Sequence, residues 1–263
     1  LASLANMLQS GIASAERVFE FLDVDEQSPD PVDAQTVVSP KGRVAFEAVT
    51  FSYSANKPLI TDLSLIAEPG QTIAIVGPTG AGKTTLVNLL MRFYELNGGA
   101  ITLDGVDISK MRRDDLRSSM GMVLQDTWLF GGTIRDNIAY GRLDATDEEI
   151  IQAAKATHVD HFVRAMPDGY NTILDDEASN LSAGEKQLLT IARAFLAEPT
   201  ILILDEATAA LDADSETEVQ KTIDQLEEGR TVVCIAHRLS TLANMDEIVV
   251  LDAGRIAERG TFP

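Results

Sequence analysis

Apolar residues recur at three- and four-residue steps through Leu1, Leu4, Leu8, Ile12, Ala15, Phe19 and Leu22, which predicts a helix over residues 1–23. Its first half is uncharged but dotted with Ser, Asn and Gln. That pattern fits both the foot of a longer helix entering a membrane and an amphipathic packing helix. Residues 24–42 lose the periodicity, gather acids and Pro29, Pro31 and Pro40, and read as a linker. From Arg43 the pattern turns to β. Residues 43–53 partly alternate, and 59–67 read as a second strand after a turn at 56–58. Residues 72–76 are a continuous apolar run, read as a buried strand, and a helix follows from near Lys83 to Arg92. Next come a short strand at 100–103, a turn at Asp104-Gly105, a short helix at 114–120 and a buried strand at 121–124 that ends at Gln125.

Residues 133–170 read as mostly helical, with Thr146 or Asp147 able to cap the segment 148–157. A helix is expected over 182–197, stopped by Pro199. Strands at 201–204, 231–236 and 247–251 then alternate with helices at 215–226 and 239–243. This alternation predicts an α/β fold: a mostly parallel core sheet, an antiparallel β subdomain ahead of it, and an inserted α-helical subdomain over about residues 126–197. The expected division is a linking segment at 1–42 and a main domain at 43–263.

Composition narrows this. The 263 residues suffice for one large domain or two smaller ones, and 45% hydrophobic residues permit a full core. A formal net charge of −20 repels phosphate backbones, so nucleic acid is excluded as a partner. The acidic clusters read as solvated faces and turns. Cys234 is the single cysteine; it sits in an apolar run, is expected to be buried in a strand, and suits a reducing cytoplasm. No run of about 18 uncharged apolar residues exists to span a membrane, and no basic n-region marks a signal peptide. The chain starts at Leu1 and stops at Pro263 without a closing element, so a piece of a longer polypeptide, truncated at its C-terminus, is expected.

The candidate chemistry begins at Gly77-Pro-Thr-Gly-Ala-Gly-Lys-Thr-Thr85, which fits G-x-x-x-x-G-K-[ST] between a strand and a helix. Gly77, Gly80 and Gly82 let the backbone turn tightly against an anion. Successive N–H groups and the helix start favour phosphate; Lys83 can reach its outer oxygens, and the Thr84 hydroxyl can ligate Mg²⁺. Ile201-Leu-Ile-Leu-Asp-Glu206 is an apolar strand ending in two acids on the same expected rim. Asp205 can hold Mg²⁺, directly or through water, and Glu206 can deprotonate the attacking water. Gln125 can reach the metal or the water, and His237 can donate to the outermost phosphate. His158 and His161 receive no role.

These residues form a set. Leu181-Ser-Ala-Gly-Glu-Lys-Gln187, just ahead of the Asp-Glu strand, resembles the signature of ATP-binding cassette proteins. The order matches that family of P-loop ATPases over about residues 43–260. Tyr53 resembles its adenine-stacking residue, 77–85 the Walker A loop, Gln125 the Q-loop, 201–206 Walker B, Asp212 the D-loop and His237 the switch histidine. The stretch 125–139 is similar to the region after the Q-loop in exporters, and 15–23 to the link from the last transmembrane helix.

The resemblance implies a multidrug- or lipid-exporter type of nucleotide-binding domain at the cytoplasmic face of a membrane, with ATP and Mg²⁺ as ligands. Its own transmembrane domain is encoded elsewhere in the polypeptide. A second such domain closes head to tail, and each ATP is shared between one chain's Walker A and the other's signature. Ser182, Ala183, Gly184 and Glu185 then face the partner's nucleotide. The family's usual signature is Leu-Ser-Gly-Gly-Gln, so Ala183 and Glu185 depart from it, as does Ala209 ahead of the D-loop. These departures raise a heterodimer with unequal sites. A slow-turnover ATP clamp and a soluble cassette ATPase stand as alternatives. The transported substrate is not written in these residues.

Overall fold

The computed structural model describes residues 2–24, 26–54, 57–175, 177–205, 207, 211, 213–236 and 239–262. The chain divides into two compact units, residues 1–30 and 31–263. In the first, α1 (Ala2–Leu22) is the expected helix, and Met7, Leu8, Ile12, Val18, Phe19, Phe21 and Leu22 along it are exposed. Among the described residues, no helix is long and apolar enough to cross a membrane.

The second unit opens with the antiparallel subdomain. β1 (Val44–Phe51) and β2 (Ile60–Ala67) form a sheet with two strands that come later in the chain, β4 (Gly98–Leu103) and β5 (Val106–Asp107). Its order is β2-β1-β4-β5. Between them lie β3 (Thr72–Val76) and α2 (Lys83–Leu90). After α3 (Arg113–Ser118) and β6 (Met120–Val123) comes the helical block. It holds the two-residue strands β7 (Gly132–Thr133) and β8 (Ile173–Leu174), and α4 (Ile134–Ala139), α5 (Asp147–Ala156), α6 (Val159–Val163) and α7 (Ala183–Ala197). Thr133, Thr146 and Ser182 each cap a helix through a reciprocal box with an acid three residues on. The chain then runs through β9 (Ile201–Asp205), α8 (Ala213–Glu227), β10 (Thr231–Ile235), α9 (Leu239–Leu242), β11 (Glu247–Asp252) and β12 (Arg255–Gly260).

The core sheet has six strands in the order β12-β11-β3-β10-β9-β6, parallel except for the β11–β12 hairpin. Its central strands are apolar throughout because both faces are covered. Ile73, Ile75, Ile201, Ile203, Val233 and Ile235 point into a core shared with α2 and the antiparallel sheet. Ala74, Leu202, Leu204, Val232 and Cys234 point into a second core shared with α7 and α8. Burying each such aliphatic side chain contributes about 1.5–3 kcal/mol. Cys234 is buried as expected, and its thiol is pushed up to about 12 by desolvation.

Two differences from the sequence reading are physical. β12 was not foreseen because its residues are mostly exposed and carry little alternation; pairing with β11 makes it a strand. β6 ends at Val123, opposite Leu204 of β9, so Gln125 lies two residues beyond the strand end in a bend.

One acid departs from the solvated-face reading. Glu227, at the C-terminal end of α8, is half-buried beside Asp224 and Met245. Desolvation, with the Asp224 charge second, raises its pKa to about 7. The folded protein thus keeps a proton that the unfolded chain has lost between pH 4.5 and 7, so stability falls as pH rises through that window. Glu227→Gln is expected to stabilise the protein by about 1–2 kcal/mol at pH 8 and to make little difference below pH 4.5. Urea unfolding of both proteins at the two pH values measures this, and equal stability at pH 8 would refute it.

Candidate functional site

Parallel pairing aligns three strand ends. Ile235 of β10 lies opposite Ile75 of β3 on one side and Asp205 of β9 on the other. The loop that follows β3 therefore leaves the sheet on the same rim as Asp205. Gly77 starts this loop at φ 153°, and a Cβ there would stand 2.1 Å from the Leu251 carbonyl oxygen of β11. Gly82, at φ 104°, is the N-cap residue of α2, and a Cβ on it would meet Ile60 at 2.6 Å. Only glycine lets the backbone pass so close to both.

Lys83 is 7% exposed, and its Nζ donates to the carbonyls of Gly77 at 2.8 Å and Pro78 at 3.2 Å. The loop is thus a closed ring with the ammonium at its centre. Pro78 and Ala81 form its back, where Ala81 N–H donates to the Pro78 carbonyl at 3.1 Å. Thr79, Gly80, Gly82, Lys83, Thr84, Thr85 and Asp205 border one cavity of about 320 Å³. The loop and the strand-end acid, 120 residues apart in sequence, are brought together as expected. Gln125 is exposed and does not border this cavity.

The Tyr53 and Thr85 hydroxyls share a hydrogen bond of 3.2 Å. The Tyr53 ring stands edge-on to Phe51 and Tyr94, with centroids 4.9 and 5.0 Å away. An aromatic surface, half exposed, is therefore tied to the end of the loop. Oxygen donors from Thr84 and Asp205 on one cavity suit a hard divalent cation. Among the described residues, no cluster of three or more His, Cys, Asp or Glu could hold a metal alone.

The segment 181–187 lies at a different place. Ser182, Gly184 and Glu185 border a second cavity of about 380 Å³ with His158, His161, Ser215 and Glu218. Gly184 is buried because Ser215 of α8 leaves no room for a side chain: a Cβ would lie 2.9 Å from its Cβ and Oγ. Ala183 is exposed. Glu206, Asp212 and His237 lie outside the described residues.

Two residues that matter here were missed in the sequence. Gln187, 2% exposed on α7, donates to the Leu124 carbonyl at 3.2 Å and so links the signature helix to the residue before Gln125. Gly254, in the β11–β12 turn, donates its N–H to the Ala81 carbonyl at 3.1 Å and accepts from Thr61 N–H at 3.1 Å. A Cβ on it would lie 1.6 Å from the Leu59 carbonyl oxygen, so the turn backs the loop at 77–85. An Ala-Gly turn before the last strand was the sequence signal for Gly254; Gln187 ended the signature stretch but carried no role of its own there.

Comparison with known proteins agrees with this geometry. The family model for ABC transporters matches residues 60–209. A fatty acid ABC transporter ATP-binding/permease protein of Mycobacterium tuberculosis (strain CDC 1551 / Oshkosh) is 57% identical over 260 residues, which is 99% of this chain and 41% of that protein. An ATP-dependent lipid A-core flippase of Desulfotalea psychrophila is 46% identical over 261 residues, 99% of this chain and 46% of the flippase. A solved bacterial Atm1-family ABC exporter with ATP bound superposes with a TM-score of 0.85 at 40% identity, covering 96% of this chain and 44% of that one. The chain thus spans less than half the length of these relatives. The chain belongs to the ABC transporter family, as an ATPase domain of the exporter type.

Proposed function

We propose that this chain binds ATP with Mg²⁺ and hydrolyses it as one half of a head-to-tail pair that drives export across a membrane. The observation that carries the reading is the separation of two phosphate-binding elements within one chain. The loop at 77–85 and the signature at 182–185 border different cavities, so one chain supplies two half-sites. A second copy or a close relative completes both.

Within each site, Tyr53 stacks on the base and the loop amides hold the phosphates. Lys83 exchanges its two loop carbonyls for phosphate oxygens. The Thr84 hydroxyl and Asp205 would hold the cation, which would neutralise phosphate charge, and Gln125 is assigned to the cation or the attacking water. Glu206 takes the proton of the attacking water, and His237 donates to the γ-phosphate. Ser182, Gly184 and Asp212 act on the partner's site.

The relatives' greater length and the exposed apolar side chains of α1 support residues 1–42 as the link to a membrane-spanning part at the cytoplasmic face. Two relatives carry fatty acid and lipid A-core in their names, so an amphiphile bearing acyl chains is the proposed cargo.

A cross-link tests the pairing. Cysteines at Thr79 and Ala183 are expected to join two chains when ATP and Mg²⁺ are present. Each single variant stays uncross-linked, since Cys234 is 3% exposed with a thiol that resists ionisation. Failure of the double variant to cross-link under any nucleotide condition would sink the head-to-tail arrangement.

A further inference from the structure

The first turn of α7 contains a closed set of three hydrogen bonds. Ser182 N–H and the Ser182 hydroxyl both donate to Glu185 Oε2, each at 2.8 Å, and Glu185 N–H donates to Ser182 Oγ at 3.3 Å. A serine hydroxyl has one proton, and a carboxylate presents only acceptors. The Ser182 proton is therefore turned inward to the cap of its own helix. With one lone pair taken by the Glu185 N–H, what the hydroxyl offers outward is its other lone pair, which repels phosphate oxygens. Position 184 must stay glycine for this turn to lie where it does, since a Cβ there would stand 2.9 Å from the Ser215 side chain of α8.

We propose that Glu185 is a positioning residue that restrains the half-site this chain offers to a second chain's nucleotide. It holds the Ser182 proton inside the cap. An arriving γ-phosphate must break that hydrogen bond before Ser182 can donate to it. This rests on the head-to-tail ATP site proposed above and adds its regulation. An amide at position 185 would act differently. Its oxygen, standing where Oε2 stands, still accepts from both Ser182 groups, but as a neutral acceptor it holds the hydroxyl proton less strongly than a carboxylate does and gives it up more easily to an arriving phosphate. The chain thus combines an intact loop for its own nucleotide with a damped signature for its partner's.

The test is a double-mutant cycle on the full-length protein in lipid nanodiscs, reading steady-state hydrolysis against ATP concentration. Glu185→Gln is expected to lower KM about three- to tenfold with little change in kcat, the scale of one charge-assisted hydrogen bond weakened to a neutral one. Glu185→Ala removes the acceptor without adding an amide and shifts KM in the same direction, so the result does not hang on one variant folding well. In a Ser182→Ala background there is no proton to release, and Glu185→Gln is expected to leave KM unchanged. A KM shift of equal size in both backgrounds would overturn the proposal, since the carboxylate would then act by charge alone. An unchanged KM in both would overturn it too, leaving Glu185 as a helix cap only. Lys83→Ala separates this from failure of the underlying reading. If Lys83→Ala still hydrolyses ATP normally, the nucleotide site itself is wrong. If it is inactive while Glu185→Gln has no effect, only the restraint is wrong.

Discussion

Replacing Glu206 by Gln is expected to reduce ATP turnover in the full-length protein by about 10²–10⁴-fold while leaving ATP binding in place. The amide keeps the size and hydrogen-bonding reach of the carboxylate but cannot accept the proton of the attacking water. Asp205, one residue earlier, borders the cavity at 77–85, and the cation it would hold is untouched by the change. Binding and hydrolysis should therefore separate: filter-bound or fluorescent ATP is retained, and phosphate release nearly stops. The bound pair should also persist, because nothing cleaves the nucleotide that bridges the two chains. Phosphate release within a few fold of the unaltered protein would remove Glu206 from the role of base.

Lys83→Ala should act on the earlier step. The ammonium is almost fully buried and donates to two loop carbonyls, which fix its position in the loop. Removing it deletes the main positive charge from a cavity that must take a triphosphate. It also leaves the Gly77 and Pro78 carbonyls facing the ligand. Truncating one member of a buried, hydrogen-bonded charge pair costs about 2–5 kcal/mol, which corresponds to a loss of ATP affinity of roughly 30-fold or more. Equilibrium binding of ATP measures this, with hydrolysis expected to fall in parallel. An unchanged affinity would mean that the loop amides alone hold the phosphates. The two substitutions thus fail differently, one binding without turnover and the other doing neither.

Much of the candidate site was legible along the chain because its recognition is local. Gly77, Gly80, Gly82, Lys83 and Thr84 fall within eight residues, and the turn they form follows from backbone freedom and helix start alone. Asp205 was legible because its strand follows a phosphate loop in an alternating α/β order, which sets the ends of both strands on one rim. The strands of the core sheet were legible for a different reason: with both faces covered, their residues are uniformly apolar. Less legible was whatever depends on a distant partner. Nothing in Arg255–Gly260 marks a strand until β11 lies beside it. Gly254 looks like any turn glycine until the Leu59 carbonyl is found where its side chain would be. Gln187 looks like a surface helix residue until the Leu124 carbonyl meets it. Glu227 reads as one more acid of a solvated helix until burial, with the Asp224 charge beside it, raises its pKa.

Glu185 shows where the boundary falls. From the sequence it is a departure that places a carboxylate near a phosphate-binding turn. In the fold that carboxylate is bent back onto Ser182 and accepts both its N–H and its hydroxyl proton. The sequence by itself determined the chemistry available: a phosphate loop, a pair of acids, a signature and an α/β order of elements, each encoded within a few neighbouring residues. Only the tertiary structure decided which of these share a cavity. It set the loop beside Asp205, kept the signature apart, and aimed each donor and acceptor. Those distances are fixed by strand order and by packing between residues far apart in the chain, which local pattern does not carry.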